Sequence, residues 1–441
     1  WVWTAQPCSR QAATVRAKRA RIAEDMRKSH LDAAVIPLPE SICWLFNVRG
    51  GDVPHTPFAL SYAILHGNGE AEWFIDETKL THEVRRHIGN AITVRAIADL
   101  GPALDKLGAA KARVGLDPAH AAAWMFARAK AAGANIVRAP DPCLLPKACK
   151  NNVELQGIRE AHVRDGAALS RFLCWLAKEG PTGDLTEIDT VKRLEDFRHE
   201  TGALKDVSFE SISGAGPNGA IIHYRVSEKT NRPVRSGELF LIDSGAQYED
   251  GTTDVTRTIA IGTPSAEQRR NFTLVLKGHI ALAMARFPEG TTGVQLDTLA
   301  RMALWNAGLD YDHGTGHGVG HYLSVHEGPQ NISKRPVATP LKAGMVCSNE
   351  PGYYKAGEYG IRIENLIAVK PPEEIPGGER KMLSFETLTL APIDLALVEP
   401  GLLSPEERDW LNAYHARVRA ALDPRIDAAT RPWLTEATRA I

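Results

Sequence analysis

Two stretches in the second half of the chain join strongly apolar strand sequence to carboxylates, and they restrict the fold more than any other feature. ELFLIDSGAQYEDGTTDVTRTIAIG runs through an apolar segment to Asp243, passes the polar turn QYEDG and returns through Asp254. The two aspartates flank that turn at nearly equal spacing, so an antiparallel return is expected to set them face to face across a hairpin. Directly opposed side chains have Cβ atoms about 4.5–5.5 Å apart, where like charges repel unless a cation lies between them. MVCSNEPGYYKAGEYGIRIENLIAV repeats the arrangement, with Glu350 and Glu364 centred on Gly357. Between the hairpins lie His313-Gly-Thr-Gly-His317-Gly-Val-Gly and Ser324-Val-His326-Glu-Gly-Pro. Glycine there lets backbone approach an ion or ligand closely, and histidine offers a neutral nitrogen ligand.

Singly, an aspartate at a strand end is usually a turn former, and a lone histidine is more often a satisfied core or surface residue than a ligand. Their coincidence changes the reading, because strands as apolar as LFLID would bury these charges at large cost without a cation. Four carboxylates and one imidazole carry a formal charge of minus four, which two divalent cations neutralise. Two such ions about 3.5–4 Å apart can hold a hydroxide and polarise a carbonyl together, the logic of two-metal hydrolysis. Oxygen-rich ligation with one nitrogen suits Mn2+, Co2+ or Zn2+, and the residues do not choose among them.

The rest of the chain supplies the scaffold. The pattern from Arg10 to Arg27 predicts a helix, and LDAAVIPL a buried strand; CWLFNVRG, FALSYAILH and EAEWFID read as further strands between Gly- and Pro-rich turns. Helix and strand signals then alternate to about residue 145, which predicts an α/β domain over 1–148, closed by APDPCLLPK. Residues 149–441 read as α+β: a long amphipathic helix ending at Gly180-Pro181, a helix at TEIDTVKRLEDFRHE, strand-type sequence from FESISGAGPNGAIIHY onward, a helix at SAEQRRNFTLVLKGHIALAMARF, and a closing helix announced by the capping box Ser404/Glu407. Residue 1 is Trp rather than Met, and residues 1–9 look like a linker, so the polypeptide is expected to begin further upstream.

Lys+Arg total 52 against 53 for Asp+Glu, so no chain-wide field favours nucleic acid or an anionic membrane. No run reaches the roughly 18–20 apolar residues of a membrane span, and the N-terminus lacks a signal-peptide layout. A soluble, cytoplasmic protein is expected. The six cysteines lack close CxxC spacing and read as reduced thiols.

LIDSGAQYEDGTTDVTRT, HGTGHGVG with SVHEGP, MVCSNEPGYY and GIRIENL resemble the catalytic domain of the pita-bread metallopeptidases of family M24, the aminopeptidase P group in particular. The resemblance runs from about Lys150 to the C-terminus, and ICWLFNVRGGDVPHTPFALSYAIL is similar to the creatinase-like domain that precedes it in long, three-domain members. It implies a creatinase-like α/β domain followed by a pita-bread catalytic domain, with the first domain of the long type missing. It assigns Asp243 to one metal, His317 and Glu350 to the other, and Asp254 and Glu364 as bridges. Glu350 would also shuttle the proton from the bridging water to the departing amine. His223 would sit near the scissile carbonyl; His313 and His326 would line the pocket and donate to the tetrahedral intermediate. Arg362 would orient the bridging carboxylate. His321 is read as a pocket-edge or surface residue rather than a ligand. The implied activity is hydrolysis of the N-terminal Xaa-Pro bond by a homodimer, with Mn2+ the foremost metal. A prolidase acting on dipeptides is the nearest alternative, and a non-peptidase pita-bread protein a more distant one.

Overall fold

Several helix starts are set by side chains that satisfy the first free backbone N–H groups. Thr14 accepts from Ala17 N at 3.1 Å ahead of the helix Val15–Lys28. Reciprocal capping boxes open Glu187–His199 (Thr186/Asp189), Ala266–Ala283 (Ser265/Gln268) and Pro405–Leu422 (Ser404/Glu407). The last is the one the sequence announces. A computed structural model describes residues 4–5 and 13–441, in two compact units, Trp1–Glu154 and Leu155–Ile441. The linker expected over residues 1–9 lies outside the described residues, apart from Thr4–Ala5, which pair with Val48–Arg49.

In the first unit a six-stranded mixed sheet runs in the order Ile92–Arg95, Ala71–Phe74, Tyr62–His66, Ala33–Ile36, Arg113–Leu116, Asn135–Arg138. The strand expected over CWLFNVRG is met only at Val48–Arg49; its first four residues belong to the helix Pro39–Phe46. Proline at its start and Glu40 in its first turn favour a helix, and Asn47 in the left-handed region (φ 50°) ends it. A short, wholly apolar run does not by itself separate a buried strand from a buried helix.

The second unit carries the acidic hairpins. Leu239–Ser244 lies between Ile212–Ala215 and Val255–Ala260 in an antiparallel sheet of three. A six-stranded sheet contains Gly316–Gly318, Val346–Asn349 and Asn365–Val369, and Gly352–Lys355 pairs with Tyr359–Arg362 as a separate ribbon. Only Ile212–Ala215 of the expected strand FESISGAGPNGAIIHY is extended; Gly216–Ala220 is a 3-10 turn. That turn presses on the second hairpin so closely that a Cβ on Gly360 would lie 1.7 Å from the carbonyl oxygen of Gly219. A helix at Gly293–Trp305, unmarked in the sequence reading, precedes the Gly-rich stretch.

Two features fix the hairpins. Phe272, Val275, Leu276 and Ile280 of the helix Ala266–Ala283 are buried with Ile361 and Ile363 of the second hairpin and Leu411 and Val418 of the closing helix. Each such side chain contributes roughly 1.5–3 kcal/mol by burial. The first hairpin is tied to the long helix Asn152–Glu179 by Asp165, which accepts from Arg198 Nε (2.8 Å), Tyr248 OH (2.9 Å) and Thr253 Oγ1 (3.0 Å), while Arg198 Nη2 donates to Ser244 Oγ. This buried ion pair has its remaining valences filled, the condition under which one is tolerated.

Candidate metal centre

The register of each hairpin decides where its carboxylates go. In the second, Gly352 pairs with Arg362 and Asn349 with Asn365, so Glu350 and Glu364 fall opposite each other, as the spacing predicts. In the first, Asp243 pairs with Thr256. Asp254 is therefore diagonal to Asp243 and not directly opposed, a correction to the expected geometry. The reason is the turn: Tyr248 pairs with Gly251, leaving Glu249-Asp250 as a two-residue connection whose centre lies one position later than the symmetry of the sequence suggests. Diagonal neighbours stand about 7–8 Å apart and still share a face.

Asp243, Asp254, His317, Glu350 and Glu364 all line one cavity of about 380 Å3, with His223, His313, His326 and Arg362. Donor atoms of Asp254, His317 and Glu364 lie within 4.8 Å of one another. His317 Nδ1 is 2.9 Å from the Gly318 carbonyl oxygen and donates to it. That fixes the tautomer and leaves Nε2 as a lone-pair donor, 3.4 Å from Asp254 Oδ2 and 3.6 Å from Glu350 Oε1. Glu350 N bonds the Thr315 carbonyl and Glu364 N that of Thr256, so both glutamates are anchored to neighbouring segments through their own backbone. Ser348 Oγ donates to Glu350 Oε1 at 3.0 Å and Thr256 Oγ1 to Glu364 Oε2 at 2.8 Å.

Arg362 meets Asp243 directly and the glutamate expected to bridge at one remove. Its Nη2 lies 2.7 Å from Asp243 Oδ2, and it reaches the glutamate expected to bridge only through Thr256, whose hydroxyl accepts from Arg362 Nε (3.2 Å). Its Nη1 donates to Tyr354 OH at 2.6 Å, and that hydroxyl donates to His313 Nε2 at 2.8 Å. His313 Nδ1 is engaged by the Gly314 carbonyl. Both ring nitrogens of His313 are thus occupied, so the expected donation to an oxyanion has no free N–H here. Burial holds His313 down to about 3. His326 packs edge-on to the His317 ring at 4.3 Å and is held down to about 4, first by burial and then by His317. His321 is neither at the pocket edge nor on the surface: it is buried and absent from the cavity lining, with Nε2 facing Gly157 of the long helix.

Tyr354, Thr256 and Ser348 escaped the sequence reading. Tyr354 lies in the turn motif EPGYY, yet only the tertiary fold shows which of its two tyrosines points inward.

The donor chemistry fits a cation pair. Burial, then neighbouring carboxylates, pushes Asp254 and Glu364 well above the ordinary carboxylate range, and burial raises Glu350. A cation-free cluster would therefore hold protons that metal ligands must give up. Asp243 Oδ1 is buried without a hydrogen-bond partner, which a metal ligand atom would be. Four carboxylates and one imidazole lining one cavity define the class as a dinuclear metallohydrolase centre.

Comparison with known proteins gives the same class. The model of metallopeptidase family M24 matches residues 156–371, that of the creatinase/prolidase N-terminal domain residues 4–154, and that of the C-terminal region of M24 peptidases residues 381–441. Aminopeptidase P2 of Arabidopsis thaliana is 43% identical over 92% of this chain, and a probable Xaa-Pro aminopeptidase P of Paracoccidioides brasiliensis 40% identical over 95%. The chain covers 62% and 70% of those two relatives. X-prolyl aminopeptidase of Caenorhabditis elegans, described as a cytosolic enzyme with a di-nuclear active site, superimposes with a TM-score of 0.94 at 38% identity, over 100% of this chain and 73% of its own. The chain belongs to metallopeptidase family M24, in its Xaa-Pro aminopeptidase P group, with the creatinase-like and pita-bread domains that its motifs imply.

Proposed function

We propose that this protein removes the N-terminal residue from peptides with proline in second place, using two divalent metal ions held by Asp243, Asp254, His317, Glu350 and Glu364. The observation that carries the reading is the convergence of those five side chains in one cavity, with Nε2 of His317 left as a lone pair. Bound there, two divalent ions supply a water of lowered pKa and a Lewis acid for the scissile carbonyl. The chain's own residues do the rest. Glu350, at the cavity wall beside His317, is placed to accept a proton from such a water and would return it to the departing nitrogen. His223 and His326 face the cavity, and His326, held neutral near pH 7, can donate an N–H to the carbonyl oxygen. The Arg362–Tyr354–His313 relay fixes Asp243 and one wall of the cavity.

Mn2+ is the proposed metal, with Zn2+ and Co2+ as the other ions this donor set suits. A cytoplasmic homodimer is the proposed setting. The cytosolic Caenorhabditis elegans relative supports the first half of that statement, and among the described residues no helix is long and apolar enough to cross a membrane. Sedimentation velocity checks the second half.

The functional test is cleavage of an Xaa-Pro tripeptide by metal-stripped protein after adding back Mn2+, Co2+ or Zn2+. Metal-dependent release of the first residue, absent in Asp254→Ala, is the expected result. No release with any of the three metals would sink the proposal, and cleavage confined to dipeptides would make the protein a prolidase.

A further inference from the structure

The helix Ala266–Ala283 takes no part in the chemistry above, yet one of its residues reaches both strands that carry the paired glutamates. His279 is fully buried on a helix whose Val275, Leu276 and Ile280 belong to the apolar core, with Trp410 edge-on to its ring. A leucine would fill that space without desolvating an imidazole, so packing does not account for it. Its hydrogen bonds do. Nδ1 lies 3.1 Å from the Asn349 carbonyl oxygen, and Nε2 lies 3.1 Å from Asn365 Nδ2. In return, Asn349 Nδ2 donates to the His279 carbonyl at 2.9 Å. Arg257 settles the proton positions: its Nη2 donates to Asn365 Oδ1 at 2.8 Å, which turns the Asn365 amide group to His279 and makes Nε2 the acceptor. Nδ1 therefore carries the proton and donates to Asn349.

Asn349 and Asn365 are paired across the ladder, and each is the immediate neighbour of a glutamate, Glu350 and Glu364. Just beyond them the ladder breaks. Val346–Asn349 ends at Asn349 and regular pairing resumes at Gly352 with Arg362; between them Pro351 has no N–H to offer, and the bond from Ile363 N to the Pro351 carbonyl, 3.2 Å, is one-sided. The two glutamates stand in that stretch, their own N–H groups turned outward to the Thr315 and Thr256 carbonyls and not to each other. We infer that His279 is a positioning residue for the metal centre, cross-bracing Asn349 and Asn365 so that Glu350 and Glu364 keep a fixed separation. Arg257 reinforces the brace, since its Nη1 also donates to the Glu364 carbonyl oxygen at 2.7 Å.

The inference rests on the metal-centre reading, and its test separates the two. Metal-free wild type and His279→Leu are titrated calorimetrically with Mn2+, and the visible spectra of the Co2+ forms are compared. Loss of partners that orient metal ligands typically lowers metal affinity 10- to 100-fold, and a loss of that size with an altered Co2+ spectrum is expected. His279→Asn restores the bond to Asn349 and His279→Gln the bond to Asn365, so each should recover part of the affinity; they also carry the test if the leucine variant does not fold. Wild-type affinity and an unchanged Co2+ spectrum in the folded variants, with only the melting temperature lowered, would overturn the positioning role. A wild type that binds no metal would instead overturn the metal centre itself.

Discussion

Asp254 shows how one residue can serve function against stability. It is buried, held well above the usual carboxylate range by burial and then by Asp243 and Glu350, and without a cation it weakens the fold. Asp254→Asn should therefore raise the stability of the metal-free protein at pH 7, by about 1–2 kcal/mol, because it removes a buried carboxyl among like charges. The same change should abolish the stabilisation that added Mn2+ gives the wild type, since an ion that binds only the folded state stabilises by mass action. Thermal melts of both proteins, with and without metal, check the crossover; a variant less stable in both states would contradict it. Thr256 belongs to the same scale. Its hydroxyl is the link between Arg362 and Glu364, a role no single-residue property announces.

Among the elements, the second hairpin is the most constrained. Its ribbon closes with Gly360 directly against the turn Gly216–Ala220, which leads into His223. A methyl group 1.7 Å from the Gly219 carbonyl cannot be accommodated by side-chain motion, because the obstruction is backbone. Gly360→Ala should cost about 2–3 kcal/mol, in the range of overpacking a well-filled site. It should also raise KM for Xaa-Pro peptides by displacing the segment that brings His223 to the cavity. Urea unfolding and steady-state kinetics measure the two effects separately, and an unchanged KM would show that the turn and the substrate wall are not coupled.

At the scale of the whole molecule, two buried histidines couple stability to pH. His279 and His415 are both held down to about 3, first by burial and then by the Arg257 charge. Ile393 N donates to His415 Nε2 at 3.0 Å, which requires the neutral ring. In the unfolded chain these rings take up protons near the usual histidine value of about 6.5. The unfolded state thus binds more protons below that value, and stability falls as pH drops from about 6.5 towards 3. The slope is at most about 1.4 kcal/mol per pH unit for each histidine. Urea midpoints of metal-free wild type and His415→Gln at pH 7.5 and 5 isolate this loss, because the raised Asp254 and Glu364 carboxyls act with the opposite sign over the same window and are common to both proteins; as pH falls, the wild type should lose more stability, or gain less, than the variant.

What the sequence determined by itself was whatever depends on neighbours along the chain: the capping box at Ser404, most helices, two acidic hairpins, and the set of side chains able to hold a metal pair. Glu350 and Glu364 oppose each other because a symmetric turn at Gly357 is a local property. The tertiary structure decided the rest. A two-residue turn, held by Tyr248 and Thr253 on the distant Asp165, moved Asp254 off the position facing Asp243. Burial of Ile42 to Phe46 on every face made a helix of a run that reads equally well as a strand. Arg362 met Asp243, His313 met Tyr354, and His279 came to lie behind both glutamates because strands remote in sequence were packed against one another. A hydrogen bond needs its partner within about 3 Å, and spacing along the chain does not specify that between segments that meet only when the core forms.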